Sequence, residues 1–176
     1  MPSQADMPAE LVTTYLHMTD AAQFKPVFKD DTDVRIEQMT QPDVDFYLFL
    51  YRAVGDAWHW RDRLQISRDE LHEILVQPTT SVYVMYGGGV PGGYIELDKQ
   101  QDVTEVAYFG LRAGFIGRGL GKHLLSFGVQ RAWDAGAQRV WLHTCNLDGP
   151  HALVNYQARG FQVYDVVREP MPQRYL

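Results

Sequence analysis

The chain has 176 residues, 45% of them apolar and 22% charged, the composition of a globular domain with a sizeable core rather than a disordered or collagen-like chain. Its net charge of −6 disfavours duplex nucleic acid or an anionic membrane as the main partner, and its longest apolar stretch, residues 46–51, falls far short of the ~20 residues a membrane helix needs. The single cysteine, Cys145, cannot form an internal disulfide, and residues 1–6 carry neither the basic nor the apolar block of a signal peptide, so the expected location is cytoplasmic.

Residues 1–10 read as a frayed start, 11–16 as a β-prone run, and a polar stretch continues to Asp33. Residues 1–32 are therefore expected to be an N-terminal extension, either an added edge strand or an arm onto a second subunit, ahead of a main domain at 33–176. Residues 34–39 alternate at period two and read as a strand. Pro42 and Asp43 open an apolar helix that runs to about Val54, and residues 55–63, with Trp58, His59 and Trp60, have no clean period. Ser67 and Glu70 form a capping box for a helix over 68–76, stopped by Pro78. Residues 81–86 and 92–97 are strands joined through a glycine-rich turn, and 103–111 is a third strand of the same meander.

From Gly119 the period becomes helical. Leu120, Leu124, Gly128 and Ala132 form one apolar ridge, Leu125, Val129 and Trp133 the next, with Lys122, Ser126, Gln130 and Asp134 on the far side. Gly136 ends that helix. A strand over 139–145, a helix over 150–159 and a last strand over 161–167 complete the order. It predicts a single α/β domain, α+β-like, with a mixed and mostly antiparallel central sheet flanked by helices.

The most informative stretch is Gly117-Arg118-Gly119-Leu120-Gly121-Lys122, between a strand and an amphipathic helix. Alternating glycines let backbone amides come close to a ligand, and a helix start adds the positive end of its dipole, which together suit phosphate. The spacing is not that of a mononucleotide P-loop, because Ile116 and His123 stand where Gly and Ser or Thr are needed. Nor is it the dinucleotide fingerprint, since the third glycine comes one residue early. A turn that only packs its helix tightly is the plain alternative, as a solvated helix start is for Arg118 and Lys122.

Here the sequence resembles the GNAT-type N-acetyltransferases. Their acyl-coenzyme A signature, Gln/Arg-x-x-Gly-x-Gly/Ala, is matched at Gly119 and Gly121, with Ile116 in place of the usual polar residue. Tyr108-Phe109-Gly110-Leu111 resembles the family's fourth strand, and Ala152 to Phe161 its closing A-x-x-x-Y-x-x-x-G-F motif. The resemblance covers about residues 33–167. It implies that the family's fourth and fifth strands, here 103–111 and 139–145, splay apart. Phe109, Gly110 and Leu111 would then bond the pantetheine arm of acetyl-CoA, with the pyrophosphate on the amides of Gly117, Arg118, Gly119, Leu120, Gly121 and Lys122. Tyr156 sits where the family places its general acid, and a phenol of pKa about 10 keeps its proton at neutral pH. Glu105 is the candidate base, on a face expected to include Ala107 and Phe109, and Glu96 is its rival.

Asn146 lies three residues earlier than the family's usual Asn, and is expected to reach the cofactor from its strand end, with Asp148 capping the next helix. Trp58 and Trp60, with Glu96, are candidate acceptor-binding residues, although two tryptophans there could equally roof the core. The six histidines show no metal-ligand spacing, so no metal is expected, and no base is placed beside Cys145 to make it a nucleophile. The resemblance thus implies transfer of an acetyl group from acetyl-CoA to a primary amine of a small molecule or peptide, by direct attack. A non-catalytic acyl-CoA-binding or sensing domain is the alternative. Dimers are common in the family, and residues 1–32 leave room for a homodimer arm.

Overall fold

The computed structural model describes residues 7–175. Most of the expected frayed start, residues 1–6, lies outside the described residues. In chain order the strands are β1 (Glu10–Met18), β2 (Val34–Gln38), β3 (Thr80–Gly87), β4 (Val90–Gln100), β5 (Val103–Leu111), β6 (Arg139–Cys145) and β7 (Gln162–Pro170). The helices are α1 (Val44–Gly55), α2 (Arg68–Leu75), α3 (Leu120–Asp134) and α4 (Ala152–Ala158). The irregular stretch after α1 resolves into two 3-10 turns, Asp56–Trp58 and Asp62–Leu64.

Local chemistry explains the helix boundaries. The Asp43 side chain accepts from the Phe46 amide at 2.8 Å to cap α1, and the Ser67–Glu70 capping box of α2 forms in both directions, at 3.1 and 2.8 Å. Two apolar layers sandwich the sheet. On one face α1 and α2 bury Tyr47, Leu50, Tyr51, Val54 and Leu71 against Val82, Val84 and Tyr94. On the other, the two ridges of α3 bury Leu120, Leu124, Leu125 and Val129 against Ile95, Leu97, Val106, Val140 and Leu142. Ser126, on the side of α3 read as solvated, is fully buried because the β1–β2 linker covers it, and its hydroxyl accepts from the Val27 amide at 2.9 Å.

The seven-stranded sheet runs β2-β3-β4-β5-β6-β1-β7, and among the described residues only the β5–β6 pair is parallel. β1 is neither an edge strand nor an arm: it lies inside the sheet, antiparallel to β6 from Thr13 to Met18 and to β7 from Glu10 to His17. The extension is thus built into the same sheet as the main domain. Two irregularities break the regular pairing around β5. β5 and β6 pair only at Val103–Arg139, Thr104–Val140 and Glu105–Trp141, and beyond those three pairs they part. Between Glu96 and Leu97 the β4–β5 register slips, leaving Ala107 as the extra residue of a bulge.

Candidate active site

The bulge reassigns the faces of β5. Val106, Phe109 and Leu111 pack into the α3 layer and Tyr108 into the α1–α2 layer, so Phe109 does not share a face with Glu105 as strict alternation predicted. Where β5 and β6 part, a cleft of about 810 Å³ opens, lined by residues of both layers: Tyr51, Trp60 and Tyr108 from one, Phe109, Leu111 and Tyr156 from the other. The splay is thus a passage through the sheet.

One end of the cleft is the glycine turn. Gly117 and Gly119 have φ of +84° and +73°, conformations that cost side-chain-bearing residues roughly 1–2 kcal/mol. A Cβ at Gly117 would meet nothing within 4 Å, and at Gly121 only Leu111 and Asn155 at ordinary contact distance. Among the described residues, the amides of 117–122 make no backbone bond outside the helix. Open space and unpaired donors at a helix start are what a pyrophosphate needs, so the residues present fit acetyl-CoA. Gly117, Gly119, Gly121 and Lys122 line the cleft, with Phe109, Gly110 and Leu111 along the free edge of β5. Leu120 is fully buried and can offer only its backbone, and the Arg118 guanidinium lies 5.5 Å from the Phe115 ring centre instead of in the cleft.

Tyr156, from α4, is buried at the wall of the cleft, edge-on to Phe109 and Phe161 at ring separations of 6.1 and 6.2 Å. Burial, with the Asp148 charge adding to it, pushes its hydroxyl pKa well above the ordinary phenol value, so it stays protonated. Cys145 lines the same cleft, and burial and Asp148 raise its thiol to about 11, which removes the thiolate a nucleophile would require.

Beside the cleft lies a smaller cavity of about 330 Å³, lined by Asp62, Arg63, Glu96, Asp98, Glu105 and His143 among others. Asp62, Ala107, Tyr108 and His143 border both spaces. Glu105 carries a carboxyl raised to about 7, first by burial, then by Asp98 and Glu96, with Arg63 opposing. The two glutamates differ in their partners. Glu96 is almost fully buried, accepts from Arg63 at 2.7 Å and accepts a short hydrogen bond from the Tyr47 hydroxyl. Arg63 also reaches Tyr47 at 3.3 Å and lies over the Tyr108 ring at 5.1 Å. Glu96 is therefore anchored in a buried network by Arg63 and Tyr47, while Glu105 has no such partner among the described residues and faces open space.

Three expectations change. The side chain of Asn146 is spent on β1: its Oδ1 accepts from the Val12 amide at 2.9 Å and its Nδ2 donates to the Glu10 carbonyl at 3.0 Å. It supplies the accepting half of a pair whose other half, the Asn146 amide to the Val12 carbonyl at 3.1 Å, is still backbone, and Asn155 lines the cleft instead. Asp148 does not cap α4. It turns back on β6, accepting from the Thr144 hydroxyl at 2.5 Å and the Cys145 amide at 3.0 Å. Trp58 and Trp60 both line the cleft but not as a pair, since Trp60 packs at a tilt against Tyr51 and Tyr108 while Trp58 sits against Gly149.

Sequence reasoning also missed wall residues from both ends of the chain. Leu11, Thr13 and Tyr15 of β1 line the cleft, as do Glu169, Arg174 and Tyr175 beyond it, with Arg174 3.6 Å from Asp62. Asp98 was missed because the strand was expected to end at residue 97, whereas β4 runs on to Gln100 and places Asp98 two residues beyond Glu96 on the same alternating face. Arg63 carried no sequence signal, since its partner lies 33 residues away. Among the described residues no group of three His, Cys, Asp or Glu side chains is placed to hold a metal, and no helix is long and apolar enough to cross a membrane.

A curated mycothiol acetyltransferase from Corynebacterium efficiens is 28% identical over 119 residues, which are 64% of this chain and 39% of that protein. A GCN5-related N-acetyltransferase from Kribbella flavida superposes with a TM-score of 0.63 at 18% identity, over 89% of this chain and 56% of its own. The chain thus spans only about two-fifths to a little over half of these two proteins. A Bacillus subtilis acetyltransferase solved in complex with CoA gives a TM-score of 0.58 at 22% identity, covering 75% of this chain and 78% of that one. These likenesses establish the shared fold. The model of the acetyltransferase (GNAT) family matches residues 45–161, two-thirds of the chain from α1 to the end of α4, and the chain belongs to that family.

Proposed function

We propose that this protein transfers an acetyl group from acetyl-CoA to a primary amine of a small molecule or peptide. The observation that carries the reading is the passage through the sheet. A phosphate-type cradle and a buried, protonated tyrosine lie at one side of it, and at the other a carboxyl whose pKa is about 7. Acetyl-CoA supplies an activated acyl thioester. The chain supplies position and proton transfer.

A lysine-like amine has a pKa of about 10.4 and arrives as an ammonium, which the carboxylates around the smaller cavity attract. Glu105, near half-ionised at neutral pH, takes a proton from it and so frees the nitrogen lone pair. As the C–N bond forms and the C–S bond breaks, the nitrogen sheds its second proton to solvent, the leaving thiolate takes the Tyr156 hydroxyl proton, Tyr156 recovers one from solvent, and Glu105 releases its own there. Phe109, Gly110 and Leu111 offer unpaired backbone groups to the pantetheine arm, and Gly117 to Lys122 hold the pyrophosphate, with the Lys122 ammonium adding charge. Glu96 serves as a fixed anion beside the base, and Trp58 and Trp60 wall the acceptor side.

The test is Tyr156→Phe, assayed with acetyl-CoA against a panel of primary amines. Turnover should fall by about 10²–10⁴-fold while calorimetric affinity for acetyl-CoA is unchanged. A wild-type protein that binds acetyl-CoA but acetylates nothing would favour the sensing domain instead.

A further inference from the structure

The linker from β1 to β2 must travel from the sixth to the first position of the sheet, and it does so across the start of α3. It is fastened at four points: Lys25 amide to Arg159 carbonyl at 2.9 Å, Val27 amide to Ser126 hydroxyl at 2.9 Å, Lys29 amide to His123 Nδ1 at 3.1 Å, and Lys29 Nζ to Arg118 carbonyl at 2.8 Å. The last bond joins the linker to the glycine turn itself.

Gly119 is a left-handed glycine with no Cβ, so the peptide plane joining Arg118 to it is freer to rotate than one flanked by two side-chain-bearing residues. In a trans peptide the carbonyl and the following amide point in opposite directions. An ammonium that holds the Arg118 carbonyl on the linker side therefore turns the Gly119 N–H away from the linker, and Gly119 lines the cleft. Lys29 also has Asp31 at 3.8 Å, which steadies the ammonium without displacing it from the carbonyl.

We propose that Lys29, outside the span matched by the family model, is a positioning residue for acyl-CoA that locks the Gly119 amide toward the pyrophosphate. This role rests on the acetyl-CoA reading of the cleft. Without Lys29 the plane between Arg118 and Gly119 samples both orientations, and part of the binding free energy goes into fixing it.

The test compares wild type, Lys29→Met and Lys29→Arg by calorimetry with acetyl-CoA and with 3′-dephospho-CoA. Binding of S-acetylpantetheine, which lacks the pyrophosphate, is followed by fluorescence of the cleft tryptophans. Lys29→Met should weaken both nucleotides alike, by about fivefold to tenfold, and Lys29→Arg should restore most of the loss. S-Acetylpantetheine affinity should not change. Unaltered nucleotide affinity in Lys29→Met overturns the proposal. So does a loss confined to the ligand with the 3′-phosphate, which would make Lys29 a direct phosphate contact, and so does an equal loss for S-acetylpantetheine, which would mean a general loosening. A wild-type protein that binds none of the three refutes the acetyl-CoA reading and the role of Lys29 with it.

Discussion

Replacing Asp98 by Asn removes a like charge directly across the β4–β5 ladder from Glu105. Paired residues of an antiparallel ladder have Cβ atoms about 5 Å apart, so the two carboxylates stand roughly 6 Å from each other. At that distance the repulsion is about 0.7 kcal/mol in water and about 3 kcal/mol at an effective dielectric of 20. Divided by 1.36 kcal/mol per unit, this brackets a downward shift of roughly 0.5 to 2 units, and about 1 unit is expected at this partly open site. The Glu105 carboxyl should then titrate near 6 instead of about 7. Carboxyl carbon NMR of Glu105 reads that shift without any acceptor, and the acid limb of kcat/KM should move with it. Stability should change in parallel. With its folded value above the unfolded one, Glu105 binds more protons in the native state, so the stability it contributes is complete below about pH 4.3 and is lost as pH rises through 7. Asp98→Asn should shorten that window from the top. A Glu105 titration that stays put or moves upward would refute the role of Asp98, leaving burial and the Glu96 charge as the causes.

Two further substitutions test other parts of the site. Gly119→Asp combines a left-handed φ of +73° with a carboxylate in the proposed phosphate cradle, so calorimetric binding of acetyl-CoA should be abolished while the far-UV circular dichroism is kept. Glu96→Ala strands the Arg63 guanidinium and the Tyr47 hydroxyl in a buried network and should lower the unfolding free energy by about 3–5 kcal/mol in a urea titration. An unchanged midpoint would remove the anchoring role of Glu96 and reopen it as the base.

Much of the site was legible because its parts are local in sequence. The glycine turn needs only neighbouring residues to adopt φ of +84° and +73°, and the helix it opens begins at once. The capping box of α2 and the ridges of α3 are likewise set within a few turns of chain. The face of Phe109 was misread because a one-residue bulge at Ala107, invisible to a period-two pattern, inverts the alternation beyond it. Asn146 and Asp148 were misread for a related reason: short polar side chains at a strand end satisfy whichever backbone group lies nearest, and here those belong to β1 and to β6 itself.

By itself, then, the sequence determined the element order, the buried stripe of α3, the glycine turn that opens it and the positions of Tyr156 and Glu105 on their elements, since each depends on propensities and spacings within one segment. Tertiary structure alone decided that β1 enters the sheet between β6 and β7, that Arg63 neutralises Glu96 rather than Glu105, and that the linker covers Ser126 and reaches Arg118. A strand's own residues say how it is to be buried. They do not say which edge will pair with it, because that depends on edges left open by residues more than a hundred positions away.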